Sequence, residues 1–407
     1  MVPKEWVTKD LRSISLLITK GSTPTTYGHE FVEQSENSIR FVGAYNCSFD
    51  GKFKSDSEKW ISKEADELLK RSKLNDKDCI ICIVGNTIGS NFLVSKEIIP
   101  ANINQNVAII RADERKVNSR YLHYWIMSPY IQYQVQQEAS TQAQPSLSLK
   151  QVGDFTIALP PLNEQKRIAK ILSTWDKAIS TTEQLLANSQ QQKKALMQQL
   201  LTGKKRLLDN NGIRFSEVWR NYNLSDMATI IMGSSPKSAA YNEDGVGLPL
   251  LQGNADIKNR KSVPRIFTSE ITKECAIGDI LLSVRAPVGT VAISEHKACI
   301  GRGIAAIKAK RKFDQDFIYQ WLLWFEKRWC SLSQGSTFES INNDDIKQLI
   351  IRVPDFGEQV KIAAVLSTAD QEISVLQHKL DVLKQEKKAL MQQLLTGKRR
   401  VKVEEAA

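Results

Sequence analysis

The cysteines and histidines of the chain are the first candidates for metal or redox chemistry, but their spacing does not favour it. Cys79 and Cys82 form a C-x-x-C pair, a spacing that can hold a metal ion or form a redox disulfide. Both lie in the apolar run 79–89, which is typical of a buried strand, and residues three apart in a strand point to opposite faces. We therefore predict that both are core residues. None of the histidines has a partner at ligand spacing: His29, His123, His296 and His378.

Two acidic stretches resemble the metal-binding motif of nucleases without completing it. Residues 354–361 read PDFGEQVK, in which Val360 stands where the motif has lysine; residues 160–167 read PPLNEQKR and lack the aspartate. Both are better interpreted as helix starts, with Glu164 or Glu358 at the positive end of the helix dipole. The phosphate-loop motif G-x-x-x-x-G-K-[ST] and the adenine-methyltransferase signature [DN]-P-P-[YF] do not occur. The sequence therefore argues against catalysis.

Composition and charge describe an ordinary soluble chain with a local basic excess. Apolar residues make up 42% and charged residues 25% of 407 positions, and no apolar stretch approaches the ~18 residues that span a bilayer. Six cysteines are too few for a disulfide scaffold, which favours a cytoplasmic location. The net charge is +11, and residues 164–207 supply +6 of it from nine basic and three acidic side chains. Such a segment can contact nucleic acid or an acidic partner protein, and charge does not distinguish the two.

A repeated helical segment is the most conspicuous pattern in the sequence. KKALMQQLLTGK occurs at 193–204 and again, letter for letter, at 387–398. In both copies apolar residues recur in steps of four and three, the heptad pattern of a coiled coil. Lys193 and Lys387 occupy one polar position of the seam, which can fix its register. The predicted seam comprises Ile168, Leu172, Trp175, Ile179, Leu186, Leu196, Leu200, Ile362, Leu366, Ile373, Leu376, Leu380, Leu383, Leu390 and Leu394.

The two helices are predicted to pair with each other. Each should end where Gly203 or Gly397 can take the left-handed conformation. At ~1.5 Å per residue each helix is roughly 57 Å long. Antiparallel pairing would place a globular domain at either end.

The segments that precede the two helices are distant copies of each other. Each opens on a tryptophan and a Gly-Ser-[Thr/Ser]-Pro turn, continues through two buried-strand patterns and an aromatic-rich helix, and ends on a short strand. The sequences diverge most in 25–75 and 237–275, and such surface loops commonly carry recognition residues. We therefore predict an α+β fold. Two similar globular α/β domains are separated by two long helices that pair as an antiparallel coiled coil, with pseudo-twofold symmetry.

This order resembles the DNA-specificity subunit of type I restriction-modification systems. The resemblance rests on PLNEQKRIAKILSTWDKAI and KKALMQQLLTGKKRL and extends over essentially the whole chain; the second helix entry, PDFGEQ, lacks the double proline. It implies a non-catalytic protein whose target recognition domains, 1–163 and 208–357, read the two halves of a split, asymmetric DNA site. Residues 164–207 and 358–407 are then the central and distal helical spacers.

The resemblance also implies partners. Two modification subunits, which bind S-adenosylmethionine and methylate adenine, would dock on this chain, and two restriction subunits, which are ATP-driven translocases and nucleases, would join them. No cofactor is expected in this chain; S-adenosylmethionine, ATP and Mg are expected in the partner subunits. We further hypothesise that helix length sets the unread spacer. Inserting one heptad of ~10 Å would then lengthen the spacer by about three base pairs.

Candidate contact residues follow from the chemistry of DNA. Base edges are read by Arg, Lys, Asn and Gln, whereas phosphates need cations and small polar groups. On this basis the predicted DNA contacts are Ser22, Thr23, Asn86, Asn102, Asn104, Gln142, Gln144, Ser234, Ser235, Lys237, Asn254, Lys258, Arg260, Arg285 and Arg302. Outward-facing helix residues predicted to contact partner subunits are Gln165, Arg167, Gln191, Gln192, Gln385 and Lys388. For each residue a solvated surface role is the alternative.

Two other classes of protein remain alternatives. One is a divergent DNA nuclease or methyltransferase with its own active site, which an assay for methyl transfer with and without partner subunits would reveal. The other is a structural coiled-coil spacer between protein-binding domains. A DNA reader should shift random duplexes at low salt and lose affinity steeply as salt rises, whereas a spacer should not.

Overall fold

The chain folds into two compact units, each of which joins a globular domain to half of each long helix. The computed structural model describes residues 3–139, 144–329 and 340–402. Unit 1 is Met1–Thr182 with Lys379–Ala407, and unit 2 is Glu183–His378. The units therefore divide the helices near their middles, and their limits differ from the four segments predicted from the sequence.

Unit 1 is built on small sheets flanked by helices. Its strands are β1 Val7–Asp10, β2 Ser15–Lys20, β3 Ser38–Val42, β4 Lys59–Ser62, β5 Cys79–Cys82, β6 Asn91–Leu93, β7 Ala101–Ile103, β8 Val107–Ala112 and β9 Thr156–Leu159. Its helices are α1 Lys63–Leu68, α2 Ser119–Met127, α3 Pro129–Glu138, α4 Leu149–Asp154 and the first half of α5 Leu162–Leu200. The strands pair in the orders β2-β8-β5-β6, β4-β3-β7 and β1-β9.

Unit 2 repeats this plan with more strands. They are β10 Arg220–Asn223, β11 Ala228–Met232, β12 Tyr241–Asn242, β13 Leu248–Leu251, β14 Ile257–Lys258, β15 Lys261–Ser262, β16 Ile266–Thr268, β17 Glu274–Cys275, β18 Ile280–Ser283, β19 Val291–Ile293, β20 Ala298–Ile300, β21 Ile304–Ala309 and β22 Ile350–Val353. The helices are the second half of α5, α6 Leu224–Met227, α7 Gln315–Phe325, α8 Asn343–Lys347 and the first half of α9 Phe356–Leu395, whose second half belongs to unit 1. The strand orders are β11-β21-β18-β19-β15-β14, β12-β16-β13-β20-β17 and β10-β22.

The pairings of the two units correspond strand by strand. β2-β8-β5-β6 in unit 1 matches β11-β21-β18-β19 in unit 2, and the parallel pair β3-β7 matches β13-β20. β5 is wholly buried, with Cys79 in the cluster that includes α2 and Cys82 in the cluster on the opposite face. The prediction that both cysteines are core residues on opposite faces is confirmed. Its cause is the alternation of side chains along a strand that is covered on both sides.

Both long helices end at the predicted glycines. Gly203 and Gly397, just beyond α5 and α9, both have φ +71°. The Lys205 amide donates to the Gln199 carbonyl at 3.1 Å, and the same bond recurs beyond α9. This bond closes a turn of seven residues and satisfies a carbonyl that the helix end would leave without a partner.

The helix halves in each unit run antiparallel. In unit 1 Lys387 Nζ lies 2.5 Å from an Asp176 carboxylate oxygen and Arg400 Nε lies 2.7 Å from Glu164. The later residue of the second helix segment, Arg400, thus pairs with the earlier residue of α5, Glu164, as antiparallel helices require. Unit 2 repeats the arrangement with residues 194 positions away.

The predicted seam positions lie inward on both helices. Nine are buried: Ile168, Leu172, Ile179, Leu186, Leu200, Ile362, Leu366, Leu380 and Leu394. Six are half-buried: Trp175, Leu196, Ile373, Leu376, Leu383 and Leu390. Within the residues that the structure describes, no helix combines the length and the apolar character needed to cross a bilayer.

Burial of His123 in α2 predicts an acid-sensitive unit 1. Desolvation lowers the pKa of His123 to about 3; Lys387 and Arg120 act in the same direction and Asp176 opposes them. The unfolded chain takes up this proton near pH 6.5 and the folded chain only near pH 3. The contribution of neutral His123 to the free energy of unfolding is therefore complete above pH 6.5. It decreases as the pH falls from about 6.5 towards 3, by up to about 1.4 kcal/mol per pH unit.

Urea denaturation at about pH 7 and about pH 5 tests this prediction. We expect His123→Met to reduce the difference in the free energy of unfolding between the two conditions. His29→Gln, which replaces a half-buried loop histidine of the same unit, should leave the difference unchanged. Identical pH dependence in His123→Met and the wild type would contradict the prediction.

Candidate DNA interface

A cavity lined by three arginines lies on one edge of unit 2. Its volume is about 890 Å³, and Arg265, Arg285 and Arg302 contribute to its wall together with polar groups such as Gln252 and Asn254. The three arginines are exposed, so their charges face solvent. Guanidinium groups remain charged at any physiological pH and donate in a fixed fork, which suits phosphate oxygens and guanine edges.

Arg302 is held by the two glycines beside it. The Gly301 amide donates to the Leu251 carbonyl at 2.8 Å, at the end of β13. A Cβ on Gly303 would lie 2.2 Å from the Gln252 carbonyl oxygen, so only glycine fits this approach. The loop between β20 and β21 is thereby fixed against β13, and Arg302 is the one residue of its three that bears a side chain.

The Gly-Ser-Ser-Pro turn rests on the same loop. A Cβ on Gly233 would lie 2.2 Å from the Gly301 carbonyl oxygen, and the Gly233 amide donates to the Ile304 carbonyl at 2.9 Å. The Ser235 hydroxyl accepts from the Arg302 amide at 3.2 Å. The turn predicted from the sequence therefore positions one wall of the cavity.

The other two arginines are positioned differently. Arg285 follows β18, and its backbone forms an isolated antiparallel β-bridge with Ser340. Arg265 Nε donates to Asp256 Oδ1 at 2.9 Å, and the same carboxylate accepts from the Gln252 amide at 2.8 Å. Because Asp256 is buried and holds both the loop and Arg265, it orients that guanidinium while the arginine stays 61% exposed.

Unit 1 has an equivalent loop with uncharged side chains. The Ile83 backbone amide donates to the Asn106 carbonyl at 2.8 Å, and in unit 2 the Val284 backbone amide donates to the Gly303 carbonyl at 2.9 Å. These matching bonds align residues 104–106 with 301–303. Gln105 accordingly occupies the counterpart of the cavity residue Arg302, and Thr23, two residues after Gly21, occupies the counterpart of Ser235.

The structure brings together part of the predicted DNA-contact set. In unit 2 Ser235, Asn254, Arg285 and Arg302 line the cavity. Ser234, Lys237 and Lys258 are exposed but are not among its lining residues. In unit 1 Ser22, Thr23 and Asn104 are half-buried, Asn86 and Gln144 are exposed, and Gln142 lies outside the described residues.

Three predicted contact residues have other roles. Asn102 is wrong as a DNA contact, because it is fully buried and its amide nitrogen donates to Asp66 Oδ1 at 2.9 Å. Gln165 is wrong as an outward residue, because it is 1% exposed and its side chain accepts from the Asn118 amide at 2.9 Å. Arg260 is paired with Glu326, 2.8 Å away, which raises the arginine's pKa.

Several polar residues of these surfaces were missed from the sequence. They include Tyr241, Gln252, Asp256 and Arg265 of unit 2 and Gln105 of unit 1. The first four lie in the divergent segment 237–275, where no motif distinguishes a functional residue from a solvated one. Gln105 could have been found by aligning the two internal copies residue by residue, because it stands where the second copy has Arg302.

Comparisons with known proteins show the class of protein to which this repeated fold belongs. Residues 3–188 and 216–385 both match the family described as the type I restriction modification DNA specificity domain. The chain therefore belongs to the family of type I restriction-modification specificity subunits, a non-catalytic class. The resemblance predicted from the sequence is confirmed.

Individual relatives cover most of the chain. It is 34% identical over 308 residues to the Putative type I restriction enzyme MjaX specificity subunit of Methanocaldococcus jannaschii, covering 73% of this chain and 72% of that one. A chain from a structure on complex assembly and conformational transition of the type I R-M system is 26% identical, with a TM-score of 0.61 and coverage of 98% and 100%. The HsdS subunit from Thermoanaerobacter tengcongensis is 25% identical, with a TM-score of 0.50 and 98% coverage of each chain.

Proposed function

We propose that the chain acts in the cytoplasm by reading a bipartite, asymmetric duplex site, with one half-site for each unit. The observation that carries this proposal is the arginine-lined cavity of unit 2, together with the equivalent loop of unit 1, in which Gln105 stands in the place of Arg302. A common scaffold with unlike side chains is what two unlike half-sites require. Arginine forks favour guanine edges and phosphates, whereas asparagine and glutamine favour adenine.

We also propose that the long helices hold the modification and restriction subunits of a type I system. The predicted outward residues Arg167, Gln191, Gln192, Gln385 and Lys388 are exposed on these helices and support such contacts. The basic segment 164–207 would suit an acidic surface on a modification subunit. S-adenosylmethionine would bind to the modification subunits, and ATP with Mg to the restriction subunits, so this chain would supply only recognition and position.

Single substitutions in the cavity test DNA reading. In the complex with its modification subunits, Arg285→Ala and Arg302→Ala are each expected to weaken cognate duplex binding by about 1–3 kcal/mol, because each removes a fork that can bind one base edge. The measurement is a titration of duplexes that carry the motif found by genome-wide mapping of methylated adenines. Repeating it at several salt concentrations separates base contacts from phosphate contacts, since only the latter lower the salt dependence.

Arg352→Ala is the matched control. Arg352 is an exposed arginine of the same unit, on β22, and its loss removes the same charge outside the cavity. It should leave the motif unchanged. If Arg285→Ala and Arg302→Ala both kept the wild-type affinity and motif, the cavity would not be the DNA interface.

A further inference from the structure

Position 302 of unit 2 and position 105 of unit 1 are the same site on two copies of one scaffold. The Gly301 amide donates to the Leu251 carbonyl at 2.8 Å, and the Asn104 amide donates to the Val42 carbonyl at 2.9 Å. Together with the bonds to the carbonyls of Gly303 and Asn106, these contacts fix both sides of the loop in each unit. The backbone is thus equivalent, and the residue between the fixed points differs.

The turn that faces this residue is also equivalent. In unit 1 a Cβ on Gly21 would lie 1.7 Å from the Ile103 carbonyl oxygen and 2.9 Å from that of Asn104; in unit 2 a Cβ on Gly233 would lie 2.7 Å and 2.2 Å from the carbonyl oxygens of their counterparts, Ile300 and Gly301. The next contact involves the loop residue itself: the Thr23 hydroxyl donates to Gln105 Oε1, and the Ser235 hydroxyl accepts from the Arg302 amide. Both residues are exposed, so their remaining hydrogen-bonding groups face solvent.

We propose that this position determines base specificity in each half-site, with Arg302 selecting guanine and Gln105 selecting adenine. Arginine donates two hydrogen bonds to guanine O6 and N7. Glutamine donates to adenine N7 through Nε2 and accepts from the adenine amino group through Oε1. That oxygen has a second lone pair, so it can keep the Thr23 hydroxyl while it accepts from the base.

The difference between the units favours a base contact over a phosphate contact. The phosphate backbone is the same in every half-site, so a phosphate-binding position would be expected to keep a cation in both copies. This position instead carries the charged guanidinium of Arg302 in unit 2 and the neutral amide of Gln105 in unit 1. Thr23 fixes the Gln105 amide in one orientation, and a fixed orientation helps to discriminate bases. The inference rests on the proposed function, since it assigns a base preference to the surfaces proposed to read DNA.

Reciprocal substitutions test the inference in the complex with modification subunits. Arg302→Gln is expected to change the preferred base from guanine to adenine at one position of one half-site. Gln105→Arg should make the opposite change at one position of the other half-site. Each change should shift the ratio of affinities for the two bases by about 10- to 100-fold. The measurement is competitive selection from a duplex library that is randomised across both half-sites.

Two controls match the charge changes. Arg352→Gln removes an exposed arginine from β22 of unit 2, and Gln136→Arg adds one to α3 of unit 1. Neither should alter the selected bases. An unchanged motif in both reciprocal variants would overturn the inference, and so would uniform weakening across all sequences with a smaller salt dependence, which indicates a phosphate contact. Failure of the proposed function would look different, because the wild-type complex itself would then select no half-site.

Discussion

Replacing Arg206 with methionine is expected to destabilise unit 2 by about 3–5 kcal/mol, because it leaves the Glu358 carboxylate buried without a counter-charge. Glu358 lies in the first turn of α9 and its side chain is 0% exposed. Arg206 follows the end of α5 and contacts both carboxylate oxygens, with Nε 2.8 Å from Oε1 and Nη2 2.7 Å from Oε2. Trp219 Nε1 donates to Oε2 at 3.2 Å. This carboxylate clamp joins the end of α5 to the start of α9.

In the wild type the hydrogen bonds to Glu358 raise the pKa of Arg206, so the guanidinium keeps its charge against the buried carboxylate.

Urea titration with hydrogen exchange resolved by unit measures the effect. Arg220→Met, an exposed arginine next to Trp219 in sequence, is the control and should change the stability of unit 2 by less than about 0.5 kcal/mol. The double variant Arg206→Met with Glu358→Gln should recover most of the loss, because a neutral amide can still accept from Trp219 and needs no counter-charge. A loss in Arg206→Met no larger than that in Arg220→Met would contradict the clamp.

Unit 1 contains the same clamp and shows why the sequence did not reveal it. Arg400 Nε lies 2.7 Å from Glu164 Oε1, and Trp6 Nε1 donates to the other oxygen at 3.3 Å. From the sequence, Glu164 is explained by the helix dipole at its own helix start. That interpretation is local. The clamp joins residues 236 positions apart, and only the folded chain brings them together.

Periodic features, in contrast, could be predicted well. The heptad seam and the glycine stops depend on neighbours within one or two turns, so they can be read from a single helix. The opposite faces of Cys79 and Cys82 follow from the alternation of one strand. The exact repeat strengthened the prediction of the seam, because the same heptad positions occur in both long helices.

Polar residues were predicted less well, because their burial depends on partners that are distant in sequence. Asn102 lies in a polar stretch, ANINQN, and its residue type alone favours a DNA contact. It is instead in β7, where its side chain bonds to Asp66 and accepts from Ser72 at 2.6 Å. Gln165 and its copy Gln359 show the signal that was available. Both copies keep Glu-Gln at the helix start, and both glutamines are buried and donate to the carbonyl of the proline before the helix.

The second large expected effect concerns the ion pair formed by a seam lysine, Lys193 in unit 2. Lys193 is 11% exposed, and its Nζ lies 2.5 Å from Asp370 Oδ1. Gln320 of α7, itself buried, donates to the other oxygen of Asp370 at 2.8 Å. The same aspartate thus fixes α5 against α9 and fixes the globular domain of unit 2 against both. Asp370→Ala removes both contacts at once.

Asp370→Ala is expected to destabilise unit 2 by about 2–3 kcal/mol. The value is below the range for a fully buried pair, because Asp370 is 41% exposed and part of the interaction is screened by water. Most of the loss arises from Lys193, whose charge stays near the seam without a partner, and from the Gln320 amide, which loses its acceptor. The measurement is again urea titration with hydrogen exchange resolved by unit.

Glu372→Ala provides the matched control, because Glu372 lies on the same helix, is exposed, and accepts the Ser189 hydroxyl at 2.9 Å. It should change the stability by less than about 0.5 kcal/mol. The paired replacement Lys193→Met with Asp370→Leu should restore part of the loss, since an apolar pair can substitute for a buried ion pair. Asp176→Ala should reproduce the effect in unit 1, where Asp176 contacts Lys387 and accepts the Tyr124 hydroxyl at 2.5 Å. If Asp370→Ala lowered the free energy of unfolding of unit 2 no more than Glu372→Ala does, the lysines would not fix the helix register.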